Sequence, residues 1–309
     1  MSATPTVQAV IDVGTNSVKL LVLDANGTQL CRNVLTTRLG EGLHNTGVMN
    51  PEAIARTVGV IEIHIATAKE LGATSVSIVG TAACRRARNA DELATAIHNA
   101  TGITLEVLSE DDEARLGLLG AVAALPNGDA PTVVVDIGGG STEFSIGASG
   151  KYINSASVPL GAVTLTEAHF TTDPPRPEDL TNAIGEMSDE VEDLTRTIPE
   201  LGRITNVVGV GGTIVTVAAV ELGLAEFSEE AIHGFVLTRD AAEDVFRTLA
   251  TEPMEARVLN PGLPRDRADI IVAGCCLLVG IMRRLSLNEI TVSTHGLVNG
   301  VAARDRLNR

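Results

Sequence analysis

The chain has 309 residues, a formal net charge of −16 and 44% hydrophobic residues, with no Trp and one Tyr. That length and apolar content predict two domains of ordinary size, with cores filled by Leu, Ile, Val and Ala. The acidity argues against non-specific nucleic-acid binding, which needs a broad basic surface, and the lack of aromatics argues against base stacking as the main mode of recognition.

In chain order, residues 7–23 read as two strands joined by a turn, and residues 30–36 as a third strand of an antiparallel meander. Residues 37–50 are turn-rich. Pro51 suits the first position of a helix to about Leu71, with Asn50 as its cap. Residues 75–80 read as a strand, 91–101 as a helix, 104–108 as a strand, and 110–124 as a helix that opens with acids. Pro126-Asn127-Gly128-Asp129 marks a break. The pattern then restarts with strand–turn–strand over 132–146 and a strand over 151–158. Helices follow around 163–170 and 177–197, then a strand over 205–209, the glycine turn Gly209-Val210-Gly211-Gly212-Thr213 and a helix over 214–222. Helices over 238–250 and 266–285, a strand over 289–292 and a helix over 295–306 close the chain. The longest apolar run, residues 270–282, falls short of the ~18–20 residues of a membrane span. Bounded by Asp269 and Arg283, it predicts a buried helix.

Four cysteines, Cys31, Cys84, Cys275 and Cys276, lack metal-ligand spacing and fit a reduced cytosolic protein. No export signal is read at the N-terminus. The expectation is therefore a cytoplasmic protein without a membrane or nucleic-acid partner. The six histidines show no paired spacing and read as surface or packing residues, with His295 the one to watch.

Two turns share one design. Asp12-Val13-Gly14-Thr15-Asn16-Ser17 follows Ala9-Val10-Ile11, and Asp136-Ile137-Gly138-Gly139-Gly140-Ser141 follows Val133-Val134-Val135. In each, an Asp ends a strand, Gly stands two positions on and a hydroxyl residue five positions on. Glycine permits close backbone approach and positive φ. The amides of Gly138–Ser141, with the side chains of Thr15, Asn16, Ser17 and Ser141, would make nests for phosphate oxygens. Each Asp is suited to a divalent cation. A single Asp-x-Gly is more simply a turn cap; the repetition at equal offsets predicts a duplicated fold that grips a phosphate chain from both sides.

The doubled units resemble the actin, sugar kinase and heat-shock chaperone ATPase fold. Within it the chain is similar to the exopolyphosphatase and guanosine pentaphosphate phosphatase family. The residues that carry the resemblance are Asp12-x-Gly-Thr-Asn-Ser17, Arg38-Leu-Gly-Glu-Gly42, Thr81-Ala-Ala-Cys-Arg85 with Asn89, and Glu113-Ala-Arg-Leu116. Asp136-Ile-Gly-Gly-Gly-Ser-Thr-Glu143, Gly211-Gly-Thr213, Arg267-Ala-Asp269 and His295-Gly-Leu297 follow in order. The chain departs from the usual pattern at Arg86, Glu110, His295 and Val298.

The resemblance implies an α/β fold of two ribonuclease H-like (actin-like) domains with an interdomain cleft. The first would cover residues 1–125, completed by a C-terminal helix over about 296–309, and the second 126–295. It looks like the short form, without the extra C-terminal helical region of longer members. The implied activity is removal of terminal orthophosphate from inorganic polyphosphate, with magnesium or manganese, by a homodimer. The alternative is hydrolysis of guanosine pentaphosphate (pppGpp) or another nucleotide. A nucleotide-binding sensor without turnover and a small-metabolite kinase are the remote readings.

Phosphoryl transfer is mostly positioning and electrostatics. The resemblance assigns Glu113 as the base that activates water; by pattern alone Asp111, Asp112 and Glu113 would be acids at a helix start. Asp12, Asp136 and Glu143 are the expected metal-holding or water-orienting carboxylates. Arg85 is the first choice of cation, with Arg38 and Arg267 next, since the guanidinium fork suits phosphate oxygens. Gly14, Gly138, Gly139, Gly140, Gly211, Gly212 and Thr213 complete the expected binding loops, although Gly211–Thr213 reads equally as a plain strand-to-helix turn. Arg86 and Arg88 read as a solvated face.

Overall fold

The computed structural model describes residues 6–123, 125, 130–149 and 151–307, and the break at Pro126–Asp129 lies outside them. The chain divides into two compact units: Met1–Leu116 with Leu297–Arg309, and Gly117–Gly296.

The first unit opens with strands β1 (Val7–Val13), β2 (Ser17–Leu23) and β3 (Gln29–Thr36). Helices α1 (Leu43–Thr46) and α2 (Pro51–Glu70), strand β4 (Ala73–Gly80), helices α3 (Ala82–Arg86) and α4 (Ala90–Thr101) and strand β5 (Leu105–Val107) follow. Helix α5 (Glu110–Val122) begins in this unit. The sheet order is β3-β2-β1-β4-β5, antiparallel among the first three strands and parallel at β1–β4 and β4–β5.

Alternation along β1 explains its near-continuous apolar sequence, because both faces of the sheet are covered. Ala9, Ile11 and Val13 pack with Ile54, Ile61 and Ile65 of α2 and Leu93 and Ile97 of α4. Val10 packs on the other face with Leu297, Val298 and Val301. Asn50 caps α2, its side chain accepting the Glu52 amide at 2.8 Å, with Pro51 at the first helical position as expected.

The second unit contains β6 (Thr132–Ile137), β7 (Thr142–Ala148), β8 (Lys151–Val158), α6 (Ala162–His169), α7 (Pro177–Thr197) and β9 (Val207–Val210). Then come α8 (Gly211–Glu221), α9 (Glu229–Ile232), β10 (Val236–Thr238), α10 (Arg239–Thr251), α11 (Met254–Arg257), α12 (Ile271–Arg284) and β11 (Glu289–Val292). Helix α13 (Leu297–Leu307) returns to the first unit. The sheet order is β10-β11-β9-β6-β7-β8. Its β8-β7-β6-β9 part repeats the connectivity of β3-β2-β1-β4, with antiparallel neighbours first and a parallel strand after the helical crossover. Two such units are the actin-like α/β fold.

Helix α12 is buried from Ile271 through Met282 and packs against α7 and α10, as its apolar run implies. Fully burying one such Leu or Ile contributes about 1.5–3 kcal/mol. Among the described residues no helix is long and apolar enough to cross a membrane.

The structure corrects several expected elements. The turn-rich stretch after β3 holds the short helix α1, and β10 and α11 carry too little periodicity to be read. Helix α8 starts at Gly211, so the glycine turn is itself the helix N-terminus. Helix α12 starts later than expected because Pro264 leads first into a 3-10 turn, Arg265–Arg267.

Candidate functional site

The two predicted turns are built alike. β1 and β2 close at Val13↔Val18, and the Gly14 amide donates to the Ser17 carbonyl at 3.1 Å. β6 and β7 close at Ile137↔Thr142, and the Gly138 amide donates to the Ser141 carbonyl at 2.9 Å. A Cβ at Gly14 or Gly138 would lie 3.0 Å from the same serine oxygen in each case. This corrects the reason for glycine: neither residue is at positive φ, and both are needed for the closeness of that carbonyl. It also removes the Gly138 amide from the expected phosphate nest, since that amide closes its own turn.

In the first unit the turn is covered by a strap. Thr37 and Arg38 donate their amides to the Asn16 carbonyl, both at 2.9 Å, and Gly40 donates to the Thr15 carbonyl at 2.8 Å. A Cβ at Gly40 would overlap Thr15 Cγ2. Arg38 has φ 53, so the strap bends through the left-handed region at a non-glycine residue. Thr15, Asn16 and Ser17 are buried. Asn89 latches the strap's far end, accepting the Met49 amide at 2.8 Å and donating to the Met49 carbonyl at 3.1 Å. Arg88 donates to Thr46 O at 2.9 Å and packs on Gly47, so it serves the same latch as well as the solvated face expected of it.

Asp12 is 2% exposed. Its Oδ2 pairs with Lys19 Nζ at 3.2 Å, while its Oδ1 is buried without a hydrogen-bond partner among the described residues, as is Asn16 Nδ2. Orphaned buried polar atoms are rare and mark places where a ligand, ion or water belongs. Beside them, Arg85 Nη1 donates to Glu113 Oε2 at 2.5 Å and to the Leu108 carbonyl at 3.1 Å. Cys84, next to Arg85 on α3, has its thiol pushed up to about 12, first by burial and then by the charge of Asp12, with Glu113 adding to it. The Thr81 amide donates to the Val13 carbonyl at 3.3 Å, which sets the start of α3 beside the end of β1. The raised pKa makes Cys84 an inert packing group.

The neighbouring acids do local work. Ser109 Oγ accepts the Asp112 amide at 3.1 Å and donates to Asp112 Oδ2 at 2.9 Å, and Arg115 donates to Asp112 Oδ1 at 2.8 Å. Arg115 and Ser109 together hold the Asp112 carboxyl below its usual range. Asp112 is a helix-start group.

In the second unit Asp136 stands in register with Glu143. Glu143 is buried, and its Oε1 accepts Ser141 Oγ at 2.5 Å and Ser157 Oγ at 3.2 Å. The first amides of α6 take the turn's carbonyls, Ala162 N to Gly138 O at 2.9 Å and Val163 N to Gly139 O at 2.8 Å. A Cβ at Gly161 would overlap the Gly139 backbone. The third loop joins the second here: Gly211, at φ 90, sits so close to Asp136 Oδ1 that a Cβ would overlap it. Arg267 lies over Gly212, its guanidinium where a side chain at that position would begin, and Thr213 packs under Gly274. No hydrogen-bond or ion-pair partner holds the Arg267 guanidinium among the described residues. Burial draws its pKa down from the ordinary arginine value.

The twin turns therefore differ in charge. At equal offsets, Asp12 faces a lysine and Asp136 faces a glutamate. Sequence reading missed Lys19, although the turn length fixes it as the partner of Asp12. It also missed a histidine pair. Thr294 Oγ1 donates to Glu229 Oε1 at 3.0 Å, His295 Nε2 lies 3.1 Å from the same oxygen, and the His233 and His295 ring centroids are 4.6 Å apart.

A family model described as the Ppx/GppA phosphatase family matches residues 22–309. The chain belongs to that family. It is 34% identical to Exopolyphosphatase 2 of Mycobacterium tuberculosis, over 95% of this chain and 97% of that protein. It is 28% identical to a guanosine-5'-triphosphate,3'-diphosphate pyrophosphatase of Vibrio atlanticus, over 97% of this chain and 59% of that protein. A crystal structure of an exopolyphosphatase from Cytophaga hutchinsonii superposes with a TM-score of 0.90 at 27% identity, covering 98% of each chain. The enzyme class expected from the sequence, a phosphoanhydride hydrolase, is that of the family.

Proposed function

We propose that the protein is an exopolyphosphatase, removing terminal orthophosphate from inorganic polyphosphate by attack of water. The contact of Arg85 with Glu113 carries this reading, because it sets a carboxylate that can accept a proton beside a cation that suits a phosphoryl oxygen. Glu113 takes the proton from the attacking water. Arg85 binds the phosphoryl group and orients Glu113. Thr15, Asn16, Ser17 and Arg38 in the first unit bind phosphate oxygens in this reading, as do Gly139, Gly140, Ser141, Gly211, Gly212, Thr213 and Arg267 in the second.

A divalent cation, magnesium or manganese, belongs to this reading. The residues present fit it: Asp12 offers a buried oxygen without a hydrogen-bond partner among the described residues, and Asp136 stands opposite Glu143. Magnesium is usually held by one or two carboxylates together with waters and phosphate oxygens. Asp136 is the first choice of ligand, with Glu143 and Asp12 next. When bound, the ion would neutralise charge on the phosphate chain.

The second reading, hydrolysis of guanosine pentaphosphate, uses the same residues with a different leaving group, and the relative from Vibrio atlanticus supports it. The absence of Trp and the presence of one Tyr leave little for a guanine-stacking pocket. Phosphate release from both substrates, at equal terminal-phosphate concentration, separates the two. Faster release from polyphosphate supports the proposal, and a large excess with the nucleotide reverses it.

A further inference from the structure

Arg257, on α11, is 2% exposed and lies among the largest fully buried side chains. Its Nε donates to the Leu249 carbonyl at 2.8 Å and its Nη1 to the Ala268 carbonyl at 3.0 Å. Its Nη2 donates to the Glu252 carbonyl at 2.7 Å and to Asp173 Oδ1 at 2.8 Å. The other Asp173 oxygen accepts the Met254 amide at 2.5 Å. A guanidinium taken out of water is destabilising unless its donors are met, and an apolar side chain would fill the same space without that cost. What an apolar side chain cannot do is fix several carbonyls in a plane, which the guanidinium fork does.

One of those carbonyls belongs to Ala268, the residue after Arg267. The segment between is pinned elsewhere too: Asn260 Nδ2 donates to the Arg257 carbonyl at 3.0 Å, and Gly262 lies against the Ala219 backbone of α8 with no room for a Cβ. The backbone of Arg267 is closed into the turn, its amide donating to the Pro264 carbonyl at 3.0 Å and its carbonyl accepting the Ile270 amide at 3.1 Å, but its side chain has no such tether. Its guanidinium lies over Gly212 and has no hydrogen-bond partner among the described residues. Its placement therefore depends on the backbone that carries it.

We infer that Arg257 is a positioning residue, which holds the 265–268 turn so that Arg267 faces the Gly211–Thr213 loop ready for a phosphate. This rests on the proposed phosphate-binding role of Arg267. Asp173 belongs to the same device, since it is the one carboxylate among the described residues that Arg257 is bonded to.

The test is a kinetic cycle on long-chain inorganic polyphosphate with wild type, Arg267→Ala, Arg257→Lys and the double variant. Lysine keeps the charge but cannot reach all four acceptors. Arg257→Lys is expected to raise KM about tenfold with kcat within about threefold, and the double variant to match Arg267→Ala alone, because residues acting as one unit are not additive. Asp173→Asn, which leaves the three carbonyl bonds in place, should shift KM the same way by less. It replaces Arg257→Lys in the cycle if the lysine variant does not fold. Wild-type KM in the folded positioning variants, or effects that multiply in the double variant, overturns the inference while leaving the role of Arg267 intact. Wild-type KM in Arg267→Ala refutes the phosphate role itself, and the inference with it.

Discussion

The guanidinium of Arg85 and the carboxylate of Glu113 meet at 2.5 Å, the first from α3 and the second from the first turn of α5. Both are shielded, at 16% and 15% side-chain exposure. The same Nη1 also donates to the Leu108 carbonyl at 3.1 Å, so two bonds fix this end of the guanidinium. Arg85→Ala is expected to lower kcat/KM by about 100-fold, since it removes a phosphate-directed cation and the group that orients Glu113. Arg85→Lys should fall between, keeping the charge without the fork. Steady-state kinetics decide it, and wild-type values would remove Arg85 from the reaction.

Asp136 and Glu143 predict the metal dependence. Asp136→Asn should raise the magnesium concentration for half-maximal rate by about tenfold or more, a size typical when a metal's supporting groups are altered. Ser157→Ala, which removes a hydroxyl from Glu143 Oε1, should move it in the same direction by less. An unchanged magnesium titration in Asp136→Asn would exclude it as a ligand.

Two glycine substitutions should have opposite effects on stability. At Gly40 a Cβ overlaps Thr15, so Gly40→Ala must displace the strap or the turn, at a cost on the order of 1–3 kcal/mol. At Gly185, inside α7, a Cβ meets nothing within 4 Å, so Gly185→Ala should stabilise by about 0.5–1 kcal/mol through helix propensity. Denaturant midpoints of the two variants beside wild type check both signs.

Much of this was legible from residue spacing. The twin turns follow from Asp, Gly and a hydroxyl residue at equal offsets between apolar runs, because a tight turn between paired strands leaves few other solutions. The same turn length implied that Asp12 faces Lys19 and Asp136 faces Glu143, a consequence that only becomes plain once the register is seen. The strap over Thr15 and Asn16, the burial of Arg257 and the meeting of His233 with His295 depend on contacts between distant segments. No local period encodes those. The short helices α1 and α3 have too few residues to display an apolar face.

His64 gives a pH-dependent stability. It is 0% exposed, its Nε2 lies 3.3 Å from the Val18 carbonyl, and its Nδ1 has no hydrogen-bond partner among the described residues. Burial lowers its pKa below the ordinary 6.5, against a smaller opposing effect of the Val18 bond. The folded protein therefore binds this proton less readily than the unfolded chain. The contribution is fully present above pH 6.5 and is lost as pH falls below 6.5 toward the folded value. The difference in unfolding free energy between wild type and His64→Gln should accordingly shrink from pH 7.5 to about pH 5. A difference that stays constant across that range would contradict it.

The most direct measurement is orthophosphate release from inorganic polyphosphate in magnesium buffer without any second acceptor, wild type beside Glu113→Ala, with polymer binding followed in parallel. The account predicts steady release by wild type, and retained binding with release reduced at least about 100-fold in Glu113→Ala. Undiminished release by Glu113→Ala would place the water-activating group elsewhere, and no release by wild type would contradict the hydrolase reading itself.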